Sequence, residues 1–214
     1  MSKALADFHD LLLPELPGCA IELVNLHLRE AARQFCTQTS AWRMPFDDVN
    51  LVASQATYDL EPSESQAEVV RLTKLTVNSV LLWADTDRDQ PEADATNPKY
   101  LRNEPPFTLS NDLLEITLMA DEVPTAAVVA GLKVVGAMKP TVSATVLPDF
   151  LRSQYSEAMR YGTLARLMVM AKKPWTDRAL ATAYMGEWHK ALNFAAYQAQ
   201  VGNTRQHLRV KKWA

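Results

Sequence analysis

The apolar positions change their period along the chain, and each change marks a different kind of element. A short helical piece at the N-terminus ends at Leu16-Pro17-Gly18. From Cys19 to Thr39, Ile21, Val24, Leu28, Ala31, Ala32 and Phe35 recur at spacings of three and four, with Glu22, Arg29 and Arg33 off that stripe. This is the pattern of one amphipathic helix. After Pro45 the period falls to two: Val49, Leu51 and Ala53 alternate, Tyr58 and Leu60 resume beyond Ser54-Gln55, and Val69 to Trp83 is rich in β-branched residues. Such stretches predict strands. Glu61 to Ser65 reads as a Pro/Ser turn, and Asp85 to Asn111, with Pro91, Pro98, Pro105 and Pro106, reads as a long irregular excursion. Leu114, Ile116 and Leu118, then Val128 to Val135, predict further strands before Lys139-Pro140 and Leu147-Pro148 close the region.

Helical spacing then returns. Leu151, Tyr155, Ala158, Gly162, Ala165 and Val169 form a seam on one helix face, and the small residues at its centre permit close approach of another helix. Lys172-Lys173-Pro174 stops this helix, and Thr176 or Asp177 is the expected N-cap of the next. That last helix, Thr176 to Gln200, is about 37 Å long. Its inward candidates are Leu180, Tyr184, Trp188, Ala191 and Ala195, with Phe194 and Tyr197 adjacent. A connection this short makes the two helices an antiparallel hairpin, and the N-terminal helix, needing cover for its own stripe, completes a bundle. The expected fold class is α+β: a helical bundle domain from residues 1–45 and 141–203, an inserted small antiparallel β domain at 46–140, and an extended C-terminal tail at 204–214.

Length and composition narrow the setting. The chain has 214 residues, enough to bury a real core. Its longest strongly apolar stretches, such as Leu164 to Ala171, fall well short of the roughly 20 residues of a membrane span. Met1 to Asp10 lacks the apolar run of a secretory signal, so the protein is expected to stay where it is made. Cys19 and Cys36 are too few for a zinc site, and on one helix they would stand about 26 Å apart, beyond reach of a disulfide. The formal charge of −3 hides an asymmetry: from Leu151 onward 11 basic residues face 3 acidic ones, whereas the first 150 residues hold 11 basic and 22 acidic. Opposite halves suit head-to-tail self-association or docking on an acidic partner; two solvated surfaces of opposite sign would read the same way.

Sites of chemistry are sparse. Asp85, Asp87 and Asp89 copy the opening of a calcium loop, but Gln90 stands in place of the turn glycine and Thr96 in place of the bidentate Glu, so a solvated acidic loop is expected. The six glycines are scattered singly, without a phosphate-cradling loop. His9, His27, His189 and His207 have no ligand-like pairing, and neither a serine elbow nor a cysteine protease signature is present. No cofactor, metal or catalytic residue is therefore expected. A glycosidase needs two acids across a cleft, which spacing does not show; with 25 acids in the chain some pair always fits, and Glu157 and Glu187, on separate helices of the hairpin, are candidates only in that sense. Trp42, Trp83, Trp175 and Trp188 lie within or beside apolar patterns and are expected in cores. The segment after Gly202-Asn203 differs: Arg205, Arg209, Lys211 and Lys212 interleave with His207, Leu208, Val210 and Trp213, without an acid. Trp213 there is either disordered or an anchor for a partner pocket.

Leu147-Pro148-Asp149-Phe150-Leu151, Tyr155, Ala158, Tyr161-Gly162-Thr163-Leu164, Leu167 and Ala171-Lys172-Lys173-Pro174-Trp175 resemble the C-terminal half of the head-to-tail adaptor proteins of podoviruses, the tail tubular protein A type among them. Thr163 stands where that pattern has alanine. Leu16-Pro17-Gly18-Cys19, Ala31 to Cys36, Trp42-Arg43, and Val52 to Gln55 before Tyr58-Asp59-Leu60 match more loosely, and the β region matches by spacing. The resemblance implies a bundle with an inserted β domain, assembled as a dodecameric ring that joins the portal protein to the tail nozzle protein, contacts genomic DNA in passage, and has no membrane partner. It implies a place at the head-tail junction of the virion after synthesis in the host cytoplasm, and no enzymatic activity. Family members often grip the portal with a C-terminal extension. On that basis Arg205, His207, Leu208, Arg209, Val210, Lys211, Lys212 and Trp213 are the candidate portal-binding residues, and the acidic stretch Asp85 to Asp94 is expected to face the lumen or nozzle. Two alternatives stand beside it: a virion-borne peptidoglycan hydrolase using Glu157 and Glu187, and a nucleic-acid-binding module using the basic tail.

Overall fold

The computed structural model describes residues 2–84 and 107–201. They form a mixed α+β fold with several helices and antiparallel sheets. Strand β1 (Ser2–Ala4) is followed by a 3₁₀ turn, the single turn α1 (His9–Leu12) and a second 3₁₀ turn. Gly18, at φ +75°, turns the chain into α2 (Ile21–Thr39). The expected stripe of α2 is buried from Val24 to Phe35, but Ile21 is exposed because it lies in the first turn, before the helix runs over its partners. Ser40 ends the helix in the left-handed conformation, φ 51°, and its N–H donates to the Cys36 carbonyl.

That left-handed step delivers the chain into β2 (Arg43–Pro45), three residues ahead of the expected start of the β region. β3 (Val49–Leu51), β4 (Thr57–Asp59), β5 (Ala67–Val77), β6 (Val80–Ala84), β7 (Phe107–Leu109), β8 (Glu115–Leu118) and β9 (Val128–Pro140) follow. β9 is the central strand of the larger sheet. β5 pairs along one edge of it, from Ala67 opposite Pro140 to Val77 opposite Leu132, and β2 and β3 follow each other along the other edge. β6 pairs with β5 through a two-residue turn at Asn78 and Ser79, φ 49° and 64°, the double positive-φ geometry of a tight hairpin. The order of the smaller sheet is β4-β8-β7. The two sheets enclose one core, in which Leu72, Leu75, Leu132 and Val134 meet Tyr58, Phe107, Ile116 and Leu118. Phe107 to Leu109 belonged to the expected irregular excursion; the structure makes it a strand, while residues 85–106 lie outside the described residues.

β10 (Val146–Pro148) pairs antiparallel with β1 and leads into α3 (Asp149–Ser153), α4 (Ser156–Met168) and α5 (Arg178–Val201). The expected single helix from Leu151 to Val169 is thus two helices. The chain leaves helical geometry at Tyr155 (φ −123°, ψ 27°), and Val169, past the end of α4, is exposed rather than part of the seam. α5 is capped by Asp177, whose carboxylate accepts the Leu180 N–H at 2.9 Å. α4 is buried on most of its circumference, packed by α2 and by α5, which runs antiparallel to it. Gly162 makes this possible, since its bare backbone lies against the fully buried Trp188 ring. Trp188 also meets Phe35 at 5.9 Å between ring centroids, and the Arg166 guanidinium lies 5.4 Å over its face.

The helical and sheet layers are joined by charge as well as packing. Arg33 on α2 donates to both oxygens of Glu68 on β5, at 3.1 and 3.2 Å, and to the Pro140 carbonyl at the end of β9. Lys139 adds a third cation contact, 3.4 Å from Glu68. These bonds, Arg33's first, hold the Glu68 carboxyl below its ordinary range against the opposing effect of burial.

Candidate functional site

The residues expected to bind the portal, Arg205, His207, Leu208, Arg209, Val210, Lys211, Lys212 and Trp213, lie outside the described residues, as do the acidic stretch Asp85 to Asp94 and its calcium-like Asp85, Asp87 and Asp89. Among the described residues no cluster of three or more His, Cys, Asp or Glu is arranged to hold a metal ion. No helix there is long and apolar enough to cross a membrane. His9 is bonded to Asn25 at 2.8 Å, tying α1 to α2, and His27 is pushed below its ordinary value by burial and then by Arg166.

Glu157 and Glu187 both lie on the surface of the α4–α5 hairpin, each acting electrostatically on Tyr161. Each is occupied by a cation on its own helix, Glu157 by Arg160 at 3.2 Å and Glu187 by Lys190 at 2.7 Å. Both side chains are about half exposed or more. Beside them a polar knot binds the N-terminal segment to the hairpin. Glu15 accepts from Arg160 and, at 2.5 Å, from the Tyr184 hydroxyl, while the Arg160 guanidinium lies 5.7 and 5.6 Å over the Tyr161 and Tyr184 rings. Burial first, and then the bond to Glu15, pushes the Tyr184 phenol up to about 12.

Two surface features remain for recognition. The first is the outer side of α5. Trp188 and Tyr197 are nine positions apart, two and a half helical turns, so burying Trp188 turns Tyr197 directly outward. Tyr197 is 56% exposed and Phe194 59%. Ala179, Ala183 and Gly186 continue this outer side toward the start of the helix; all three are exposed, and a Cβ at Gly186 would meet nothing within 4 Å. Phe194 and Tyr197, expected beside the inward set, lie outside it, where the turn count from Trp188 also places them.

The second feature is a pair of clefts at the junction of the layers. Trp42 emerges from the left-handed turn at Ser40, and its carbonyl is pinned by the Met138 N–H at 2.8 Å. It packs against both the helical and the sheet core. Phe150, on the first turn of α3, is held edge-on to Tyr155 at 6.0 Å. These two half-buried aromatics line both clefts. One, about 440 Å³, is floored by apolar groups that include Met44 and Pro148, with Glu64 and Asp149 also in its lining. The other, about 420 Å³, reaches Gln198 and Ala199 near the end of α5, where the Tyr155 hydroxyl donates to Gln198 at 2.9 Å. The first cleft offers aromatic faces and carboxylates, the second aromatic faces, amides and Arg43, and neither lining contains His or Cys, an arrangement for binding. It arises between elements far apart in the chain, so no local motif signalled it. Compared with known proteins, the chain matches no family model and no curated sequence.

Proposed function

We propose that this chain is a structural subunit of the head-to-tail adaptor ring of a short-tailed bacteriophage, joining the portal to the tail nozzle and lining the DNA channel. In this reading it has no enzymatic activity or cofactor. Residues 1–45 and 141–203 form the ring-building helical domain, 46–140 an inserted β domain, and 204–214 a portal-gripping tail. The mature location is the head-tail junction of the virion.

The observation that carries the reading is the Leu147 to Trp175 block, where the resemblance to podovirus adaptors is most specific. Leu147, Leu151, Ala158, Gly162, Leu164, Leu167 and Trp175 are all buried, so the resembling residues build the spine of the helical layer. The hairpin made on that spine turns Phe194, Tyr197 and a run of small residues outward, a face suited to close packing by a neighbouring copy. Mechanically, such interfaces would spread the pressure of packaged DNA over many subunits.

Electron microscopy of the protein mixed with its portal tests the proposal: closed rings capping the portal are expected. Muramidase activity that falls in Glu157→Gln and Glu187→Gln variants would favour the hydrolase instead. Duplex binding that weakens steeply with salt, without portal binding, would favour the nucleic-acid module.

A further inference from the structure

We propose that the cleft lined by Trp42, Met44, Glu64, Pro148, Asp149 and Phe150 is a docking site for the chain's own segment 204–214, with Trp213 seated on the aromatic floor and the basic residues against the two carboxylates. Three observations select this occupant. The floor is apolar and aromatic, of a size to take one large ring, and it is open at the junction of the two layers.

The acids beside it are at most weakly paired. The Glu64 side chain makes no ion pair among the described residues, and Asp149 has only Lys3 at 3.8 Å, with both partners well exposed. The segment supplies the opposite charge, with Arg205, Arg209, Lys211 and Lys212 and no acid.

The third observation is continuity. Gln198 and Ala199, one turn before the last described residue of α5, line the second cleft, which shares Trp42 and Phe150 with the first. The twelve residues from Gly202 to Trp213 can extend about 40 Å, enough to cross from one cleft to the other within a single molecule. Tethering at such short range makes the intramolecular contact the favoured one. The docking stands apart from the adaptor reading: a chain that never met a portal would still fold its segment back. In an adaptor it would hold the gripping tail in place until the portal competes for it.

The test is photo-cross-linking of the full chain carrying p-benzoylphenylalanine at Trp213. Adducts within one chain are expected at Trp42, Met44 or residues 146–150, with a yield unchanged by about tenfold dilution. The yield should fall at least about fivefold in Glu64→Lys/Asp149→Lys, as expected from loss of two exposed ion pairs. An Arg209→Glu/Lys211→Glu variant, altered only outside the folded layers, should reproduce that fall whatever the first variant does to folding. Adducts only between chains, adducts elsewhere in the molecule, or a yield indifferent to charge reversal in the segment would each overturn the proposal. Failure of portal binding would bear on the adaptor reading alone.

Discussion

Gly162 and Trp188 set the distance between α4 and α5: a Cβ at residue 162 would lie 2.7 Å from two carbons of the indole ring. Since both residues are buried, neither the ring nor the backbone can withdraw freely. Gly162→Ala is therefore expected to destabilise the fold by about 1–3 kcal/mol, despite the roughly 1 kcal/mol by which alanine favours a helix over glycine. In a Trp188→Leu background the clash is gone, and the same substitution should be neutral or mildly stabilising. A double-mutant cycle from urea melts checks this, and additive effects would refute the coupling.

Glu68 is the acid that fastens the sheet to α2. Its carboxyl is held low, chiefly by the Arg33 hydrogen bonds, so its contribution is present above the ordinary carboxylate range and is lost as pH falls through the folded value. With the Glu68 side chain 37% exposed, solvent screening reduces the bidentate pair to about 1 kcal/mol. Glu68→Gln should cost that much at neutral pH and almost nothing in acid, as compared by thermal melts at the two pH values.

Tyr184 titrates in the opposite sense. Its phenol is pushed up to about 12 by burial and then by its bond to Glu15, so its contribution is present below the ordinary tyrosine value and declines as pH rises through the folded one. Ultraviolet titration of native protein should show a late tyrosinate step that Tyr184→Phe removes. A profile unchanged by that substitution would place the late step elsewhere.

The two cysteines should separate kinetically. Cys36 is fully buried, and burial raises its thiol far above the reactive range. Cys19 is partly exposed, and Lys173 opposes the smaller upward push of its burial. Iodoacetamide should modify only Cys19 in the native state and both cysteines in denaturant, counted by intact mass.

Phe194→Asp/Tyr197→Asp tests the outer side of α5. Because neither ring is buried, stability should change by no more than about 0.5 kcal/mol, while on the proposed adaptor reading ring formation on the portal is lost. On the same reading, deletion of Thr204 to Ala214 should abolish portal pull-down, and loss of the proposed docking should lower the melt only slightly.

Much of the secondary structure is legible in the sequence wherever a stripe runs through several turns or alternations. α2 follows from periodicity, the α4–α5 pairing from the short connection between two periodic stretches, and the strand character of Val69 to Trp83 from its β-branched content. The break at Tyr155 does not, because Tyr155 occupies an inward position and keeps the spacing intact while its backbone leaves helical geometry. β7 is only three residues long and follows Pro105-Pro106, so neighbouring turn chemistry outweighs its own strand signal. The Asn78-Ser79 turn hides inside an apolar run, where β-branched flanks on both sides mimic one strand. The clefts at Trp42 and Phe150 depend on how two layers meet, which no spacing encodes. The expected tail site rested on composition and on a family habit, and it lies beyond the described residues.

The pairing of Ser2–Ala4 with Val146–Pro148 has a consequence for biogenesis. A nascent chain emerging from the ribosome completes α2 long before α4 exists to cover Leu28 and Phe35, whereas the sheets can pair as soon as β9 is out. Contacts this distant in sequence close slowly. Until then the apolar stripe of α2 has no cover, although the β layer after it can already close. Chaperone demand and aggregation during overexpression should therefore track how quickly residues 146–192 are synthesised.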